Sequence, residues 1–339
     1  MILDHKKLLI SSCAGLGDLI MFTPAIRVLK EKFPTLKITF MASEKNADIL
    51  RGIPYIDKVV CIRRGKFLGR YRVLPDLVRQ DIVLFTDWQP QLLLAAKLFC
   101  VKARIGIPKP GHSLNTYFTK MLTVNVMKSP EYAAMTNARL FMEALEVELE
   151  GDMTRCDSSL PNEENRKKAD ELVKSIGISA EQPYVLLTPF AGLEQRNWPV
   201  SAAAEFAAKV EAEYGLPVLV AGPEEWEMDA KKISRYSLSG KTSTMELVEL
   251  IKRAKLLVTP DSGPMHIAGA LGVPVIPLFS KDLPSRWAPK HNCYPITLDL
   301  PCAPCDDATA RACGTVQCMR GITAAMVMNE MKNNRHEFL

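Results

Sequence analysis

A chain of 339 residues exceeds what one ordinary core organises and points to two domains of typical size. With 47% apolar and 24% charged residues it has the composition of a soluble globular protein, and its longest apolar run, LLLAAKLFCV at 92–101, is too short to span a bilayer and is broken by Lys97. The net charge of +5 is a mild surplus that suits an acidic substrate or an anionic membrane surface, and equally an ordinary solvated surface.

The first residues, MILDHKKLLISSC, lack the apolar segment and cleavage site of a signal peptide, so the expected location is cytoplasmic. KLLISSC (7–13) is expected to be a buried strand, followed by a helix over 18–32 that breaks at FPTLK. Further strands are expected at KITFMAS (37–43), DKVVCI (57–62) and DIVLFT (81–86), with helices over 89–100 and 135–149. EGDMTRCDSSLPN (150–162) loses the apolar period and is expected to be a linker. Alternation then restarts with helix 163–175, strand YVLLTP (184–189), helix 200–214 and strand PVLVAG (217–222). Helices near 224–235 and 244–254 lead to strands KLLVTP (255–260) and VPVIPLF (273–279). Strands alternating with helices in both halves predict two α/β domains with parallel, doubly wound sheets and a cleft between them. Ligands in such sheets collect at the carboxyl ends of the strands.

Six stretches carry chemistry. After the first strand, CAGLGDLIMF places Gly15 and Gly17 in a G-x-G turn, but Ile20 stands where a dinucleotide fingerprint needs its third glycine. The turn still admits a close approach to the backbone. Asp18 is then either a helix cap or a carboxylate able to act as a general base. RRGKFLGRYR (63–72), with Arg63, Arg64 and Lys66, is a solvated face or a site for an acidic acceptor or anionic lipid, and has too few aromatics for nucleic acid.

In TPFAGLEQRNWP (188–199), Arg196 follows a strand and could neutralise a leaving phosphate; an ordinary surface arginine would look the same. Glu224, in AGPEEWE, is either a ribose ligand or favourable charge at a helix N-terminus. TPDSGPMHIAGALG (259–272) puts Asp261, Ser262 and Gly263 where a strand gives way to a helix. Asp261 is expected to cap that helix, while free N–H groups and the positive helix end offer a seat for a pyrophosphate without metal. His266, one turn in, is a packing histidine or a phosphate donor. Gly269 and Ala270 are expected to permit tight helix–sheet packing. Finally, Cys302, Cys305, Cys313 and Cys318 form C-x2-C-x7-C-x4-C, which reads as a structural zinc or iron site or as four reduced thiols.

With these motifs in place the chain resembles glycosyltransferase family 9, the ADP-heptose:lipopolysaccharide heptosyltransferases. The resemblance runs through GLGDLIMFTPAIRVLKEKFP, ARIGI (103–107) and TPDSGPMHIAGALGVPVIPLF, the last being the most specific. It implies the GT-B architecture, two Rossmann-like domains facing a central cleft, with the acceptor on residues 1–160 and the nucleotide sugar on residues 161–339. It further implies inverting transfer of a heptose or similar sugar from an ADP-sugar to an acceptor hydroxyl, most simply on the lipopolysaccharide inner core. Asp18 would be the base and Arg196 would assist departure. Gly17, Thr188, Glu224, Asp261, Ser262, Gly263 and His266 would bind the donor, and Arg63, Arg64 and Lys66 an acidic glycolipid acceptor. Many members carry a lysine where Arg196 stands, so a planar fork replaces a point charge. No cofactor is implied for the chemistry, no nucleic acid is a partner, and peripheral contact with the inner membrane surface is compatible with the location. A protein O-heptosyltransferase and a GT-B-shaped nucleotide-sugar epimerase are the alternatives.

Overall fold

The computed structural model describes residues 3–62, 73–107, 115–122, 124–125 and 131–338. The chain divides into two units, Met1–Ser159 and Leu160–Leu339, each built on its own parallel sheet.

Among its described residues the first unit has six strands: β1 (Lys7–Ser12), β2 (Lys37–Ser43), β3 (Lys58–Ile62), β4 (Ile82–Phe85), β5 (Ala103–Gly106) and β6 (Val124–Asn125). They lie in the order β3-β2-β1-β4-β5-β6, all parallel. Strand β1 is buried along all but its first residue, and β4 throughout, as strands covered on both faces must be. The order reverses between β1, whose Leu8 pairs with Ile38 of β2, and β4, whose Ile82 pairs with the same Leu8. Ligands enter such sheets at the carboxyl side of this switch point.

The single helix expected over 18–32 is two helices, Leu16–Ile20 and Thr23–Lys32. Pro24 lies in the first turn of the second one, where its missing N–H costs nothing and its ring favours a new start. The helix expected over 135–149 spans Ala133–Leu145 and stops where Glu146 turns left-handed (φ 53°). The expected linker is no loose tether. Arg27 donates to the carbonyls of Asp152 and Arg155 and pairs with Asp157 at 2.6 Å; Tyr55 donates to the same carboxylate at 2.8 Å. These bonds anchor 152–157 to the first unit.

The second unit has five strands: β7 (Val185–Leu187), β8 (Val218–Val220), β9 (Leu256–Pro260), β10 (Val275–Phe279) and β11 (Ile296–Thr297). Their order is β11-β10-β9-β7-β8, so the switch point falls between β7 and β9. Helices Glu163–Ser175 and Val200–Tyr214 have the expected bounds. Helix Thr244–Arg253 starts with a capping box in which Ser243 and Glu246 each accept the other's backbone N–H. Trp198 is 1% exposed in the core and donates its indole N–H to the Ile322 carbonyl at 2.8 Å, which ties the C-terminal helices to the sheet. Among the described residues, no helix is long and apolar enough to cross a membrane.

Candidate functional site

The switch point of the second unit brings the sequence candidates together. Strand β7 delivers Thr188, and the loop behind it delivers Arg196 from a short turn at Glu194–Arg196. Strand β9 ends in Pro260 and is followed by Asp261 and by Ser262, the N-cap of helix Gly263–Leu271. Strand β7 is the direct neighbour of β9, so the two loops share one edge of the sheet.

The expected cap by Asp261 is not made. The helix has no side-chain cap hydrogen bond; Ser262 turns its hydroxyl instead to the Pro260 carbonyl at 3.2 Å and to Thr259 Oγ1 at 3.1 Å. The side chains around the turn thus leave its first N–H groups and the positive helix end uncapped. Asp261 faces Arg196 instead, at 3.4 Å between Nη1 and Oδ2, while the same Nη1 donates to the Asp261 carbonyl at 2.9 Å. The ion pair outcompetes the cap because Asp261 is 5% exposed, and a buried carboxylate needs a cation more than a helix needs a cap.

Burial, the dominant influence, lifts the Asp261 carboxyl to about 6, against the pull of Arg196. His266 is buried, and burial together with the Arg196 charge pushes it down to about 4, so its imidazole is neutral near pH 7. Its ring meets Trp287 edge-on at 6.3 Å. Four buried polar atoms here lack partners among the described residues: Thr188 Oγ1, Arg196 Nε, Asn197 Nδ2 and His266 Nδ1. Orphaned polar groups are costly, and their concentration beside one strand switch marks a place built for a polar ligand.

Gly269 does permit close packing, though against Pro289 rather than the sheet: a Cβ there would stand 2.6 Å from the proline ring. Glu224 is exposed in the turn after β8, two strands from β9, or roughly 10 Å at ordinary strand spacing. Its backbone crosses Gly240, where a Cβ would lie 3.0 Å from the Glu224 Cα. Beside it Phe190 stacks on Trp226 at 5.0 Å. A ligand reaching from Asp261 to Glu224 must therefore be extended, with an anionic part at the helix end.

Sequence reasoning missed three residues of this network. Arg196 Nη2 donates to Asp282 at 2.8 Å, and Lys281 Nζ bridges Asp282 and Asp307, both at 2.9 Å. Burial alone would lower the Lys281 ammonium, but the two carboxylates outweigh it and hold it above the usual lysine range. Lys281 and Asp282 follow β10, the position that marks a ligand edge; that placement was the available signal.

In the first unit, Asp18 occupies the first turn of helix Leu16–Ile20 and its carboxylate accepts the Gly15 N–H at 3.1 Å, so the capping role is real. The side chain remains partly exposed, while Gly17 is buried inside the helix. Two further residues flank this loop. Asp87 accepts the Cys13 N–H at 2.9 Å, and Gln89, bonded to Asp87, takes the Ser11 hydroxyl at 2.6 Å. Both follow β4 across the switch point. Arg63, Arg64 and Lys66 lie outside the described residues.

All nine cysteines are free thiols. Cys305 and Cys318 are pushed up first by burial, and also by the neighbouring thiols of the 302–318 segment. The four thiols therefore lie within electrostatic reach of one another. Among the described residues, however, no three His, Cys, Asp or Glu groups are gathered closely enough to hold a metal ion. The donor set suits zinc or iron in chemistry but not in this geometry.

Comparison with known proteins sets this site in a family. The chain is 22% identical over 307 residues to the lipopolysaccharide core heptosyltransferase OpsX of Haemophilus influenzae, covering 85% of this chain and 82% of that one. A glycosyl transferase family 9 structure from Veillonella parvula superposes with a TM-score of 0.82 at 19% identity, over 98% of both chains. The Escherichia coli ADP-heptose LPS heptosyltransferase II superposes with a TM-score of 0.76 at 21% identity, over 96% of this chain and 98% of that one. These likenesses establish the GT-B fold for the two parallel-sheet units. The profile of glycosyltransferase family 9 (heptosyltransferase) matches residues 79–314, which include both strand-switch loops of the second unit, and the chain accordingly belongs to that family of glycosyltransferases.

Proposed function

We propose that this glycosyltransferase moves a heptose from ADP-heptose to a hydroxyl of the lipopolysaccharide inner core, with inversion at the anomeric carbon. The observation that carries the reading is the uncapped helix end at Ser262–Gly263 with Arg196 beside it and four orphaned polar atoms around it. This arrangement suits a diphosphate, with the helix end and the guanidinium taking up the charge released on the leaving ADP. Glu224 is placed to accept from ribose hydroxyls. His266, neutral at pH 7, has one N–H to donate to the donor. Thr188 adds a hydroxyl at the same edge.

Asp18 serves as the base. The acceptor oxygen attacks the anomeric carbon as the bond to the ADP oxygen breaks, and Asp18 takes the acceptor proton late, in an oxocarbenium-like transition state. Names of relatives support the substrates: one is a lipopolysaccharide core heptosyltransferase, and another acts as an ADP-heptose LPS heptosyltransferase. An acidic core glycolipid also fits the surplus of cations, with Arg63, Arg64 and Lys66 as its contacts, and places the work at the cytoplasmic face of the inner membrane.

The test is transfer from ADP-heptose to a heptose-deficient core glycolipid, read by mass. The reading requires a mass gain of one heptose. Isomerised donor without acceptor, or transfer to a protein and not to the glycolipid, would replace it. Because the helix end and Arg196 supply the charge compensation, the rate should be unchanged by EDTA.

A further inference from the structure

Arg196 and the three charges beyond it form one continuous chain. Arg196 pairs with Asp282, Asp282 shares its Oδ2 with Lys281, and Lys281 reaches Asp307 in the first turn of helix Asp307–Ala312. That helix lies between Cys305 and Cys313, and the same segment touches the site twice more. Cys305 donates its N–H to the Lys281 carbonyl at 2.9 Å, and Gln195, next to Arg196, reaches the Arg311 carbonyl at 3.5 Å. Lys281 is 8% exposed, whereas the Asp307 carboxylate is largely open to solvent.

We infer that Lys281 is a positioning residue for sugar-nucleotide binding: it holds Asp282, and through Asp282 the guanidinium of Arg196, with the cysteine segment as its outer anchor through Asp307. The physical reason lies in the division of charge. Arg196 already meets the Asp261 carboxylate at 3.4 Å, so an undivided pair with Asp282 as well would leave it little attraction for a phosphate. Sharing the Asp282 carboxylate with a second, nearly buried cation weakens that second claim on Arg196, and holds the fork against the Asp261 carbonyl at the same time. The segment 302–318 then works as a brace for the donor site rather than an appendage. This inference rests on the reading of Arg196 as a ligand of the donor diphosphate.

The experiment is a double-mutant cycle on the full chain, with ADP affinity read by calorimetry and kcat and KM by transfer from ADP-heptose. Lys281→Met should weaken ADP binding on the order of tenfold and raise KM more than it lowers kcat, with partial rescue in Lys281→Arg. In an Arg196→Gln background the same substitution should add nothing, because its effect passes through Arg196. Unchanged affinity in Lys281→Met, or a full second loss in the double variant, would overturn the inference. Arg196→Gln with undiminished ADP affinity would instead remove the donor reading of Arg196. Should Lys281→Met fail to fold, Asp307→Asn takes its place, since it alters a solvent-facing carboxylate. It should cost about threefold in the native background and nothing in the Arg196→Gln one; equal costs in both would count against the inference.

Discussion

Arg196 holds Asp261 at two points, donating to its backbone carbonyl at 2.9 Å and standing 3.4 Å from its carboxylate. A diphosphate seated at the helix end would compete for the same guanidinium. The carboxyl titrates near 6 because it is buried, and the neighbouring His266, pushed to about 4, does not change charge in that range.

Affinity for a sugar nucleotide should therefore depend on pH through Asp261. Above pH 6 the ionised carboxylate engages Arg196 and repels the diphosphate; below it, the protonated group releases the cation. Binding should strengthen as pH falls from 7.5 to 5.5, by about twofold to sixfold if the bound anion raises the carboxyl by half to one unit. An ADP-sugar is the correct probe, since its diphosphate carries no proton that titrates in this window. Asp261→Asn should flatten the profile. The same sign applies to the free protein: the folded state holds this proton more tightly than the unfolded chain, whose carboxyl titrates near 3.8, so this contribution to stability is lost as pH rises through about 6.

Asp18→Asn separates the two roles of that side chain. An amide oxygen can still accept the Gly15 N–H, so the helix start and the melting temperature should survive. Proton acceptance does not survive, and transfer should fall by about 10²-fold or more while ADP affinity stays within twofold. Turnover close to the wild type would leave Asp18 with its capping role alone.

What was legible in the sequence follows the length and burial of the elements. Strands β1, β9 and β10 are five or six residues long, each with an apolar centre and buried nearly throughout, and their bounds are nearly those expected. Strands β6 and β11 have two residues each, too few to show a pattern, and they exist because a neighbouring strand offers them partners. Arg196 and Asp261 stood out because they follow strands in short, chemically distinctive loops, and His266 because it lies one turn into the helix that begins there. Lys281, Asp282 and Asp307 did not: their meaning is a set of ion pairs between separate loops, and no local spacing encodes it. The cap expected of Asp261 was wrong for a related reason, since the cation that claims it comes from another strand. Asp87 and Gln89 carry no local signal of their own, since their bonds to Cys13 and Ser11 exist only because β4 lies beside β1.

Gly269 tests the packing that holds the Gly263–Leu271 helix in place. A methyl group at this position would stand 2.6 Å from two carbons of the Pro289 ring, which cannot swing aside as a flexible side chain would. Gly269→Ala should gain helix propensity and still destabilise the protein, by about 1–3 kcal/mol, because overpacking outweighs the gain of roughly 1 kcal/mol. Thermal melting checks this. A rise in melting temperature would mean that the loop after Trp287 yields without cost.

The last expectation concerns the carboxylate across the first switch point. Asp87 accepts the Cys13 N–H and is itself held by Gln89, which takes the Ser11 hydroxyl, so three polar side chains pin the loop that leads to Asp18. Removing the carboxylate leaves the partly buried Cys13 N–H without this acceptor, a loss of about 1–3 kcal/mol. Asp87→Ala should lower the melting temperature by about 2–12 °C for a domain of this size. Asp87→Asn keeps an acceptor oxygen and should cost less than half as much. The two variants also report on catalysis, because the loop sets where Asp18 stands. In Asp87→Ala kcat should fall together with stability, whereas ADP affinity should change little, since Arg196, Thr188 and the helix end at Ser262 and Gly263 all belong to the second unit. A variant that melts early but turns over normally would show that Asp87 braces the sheet edge and has no influence on the base.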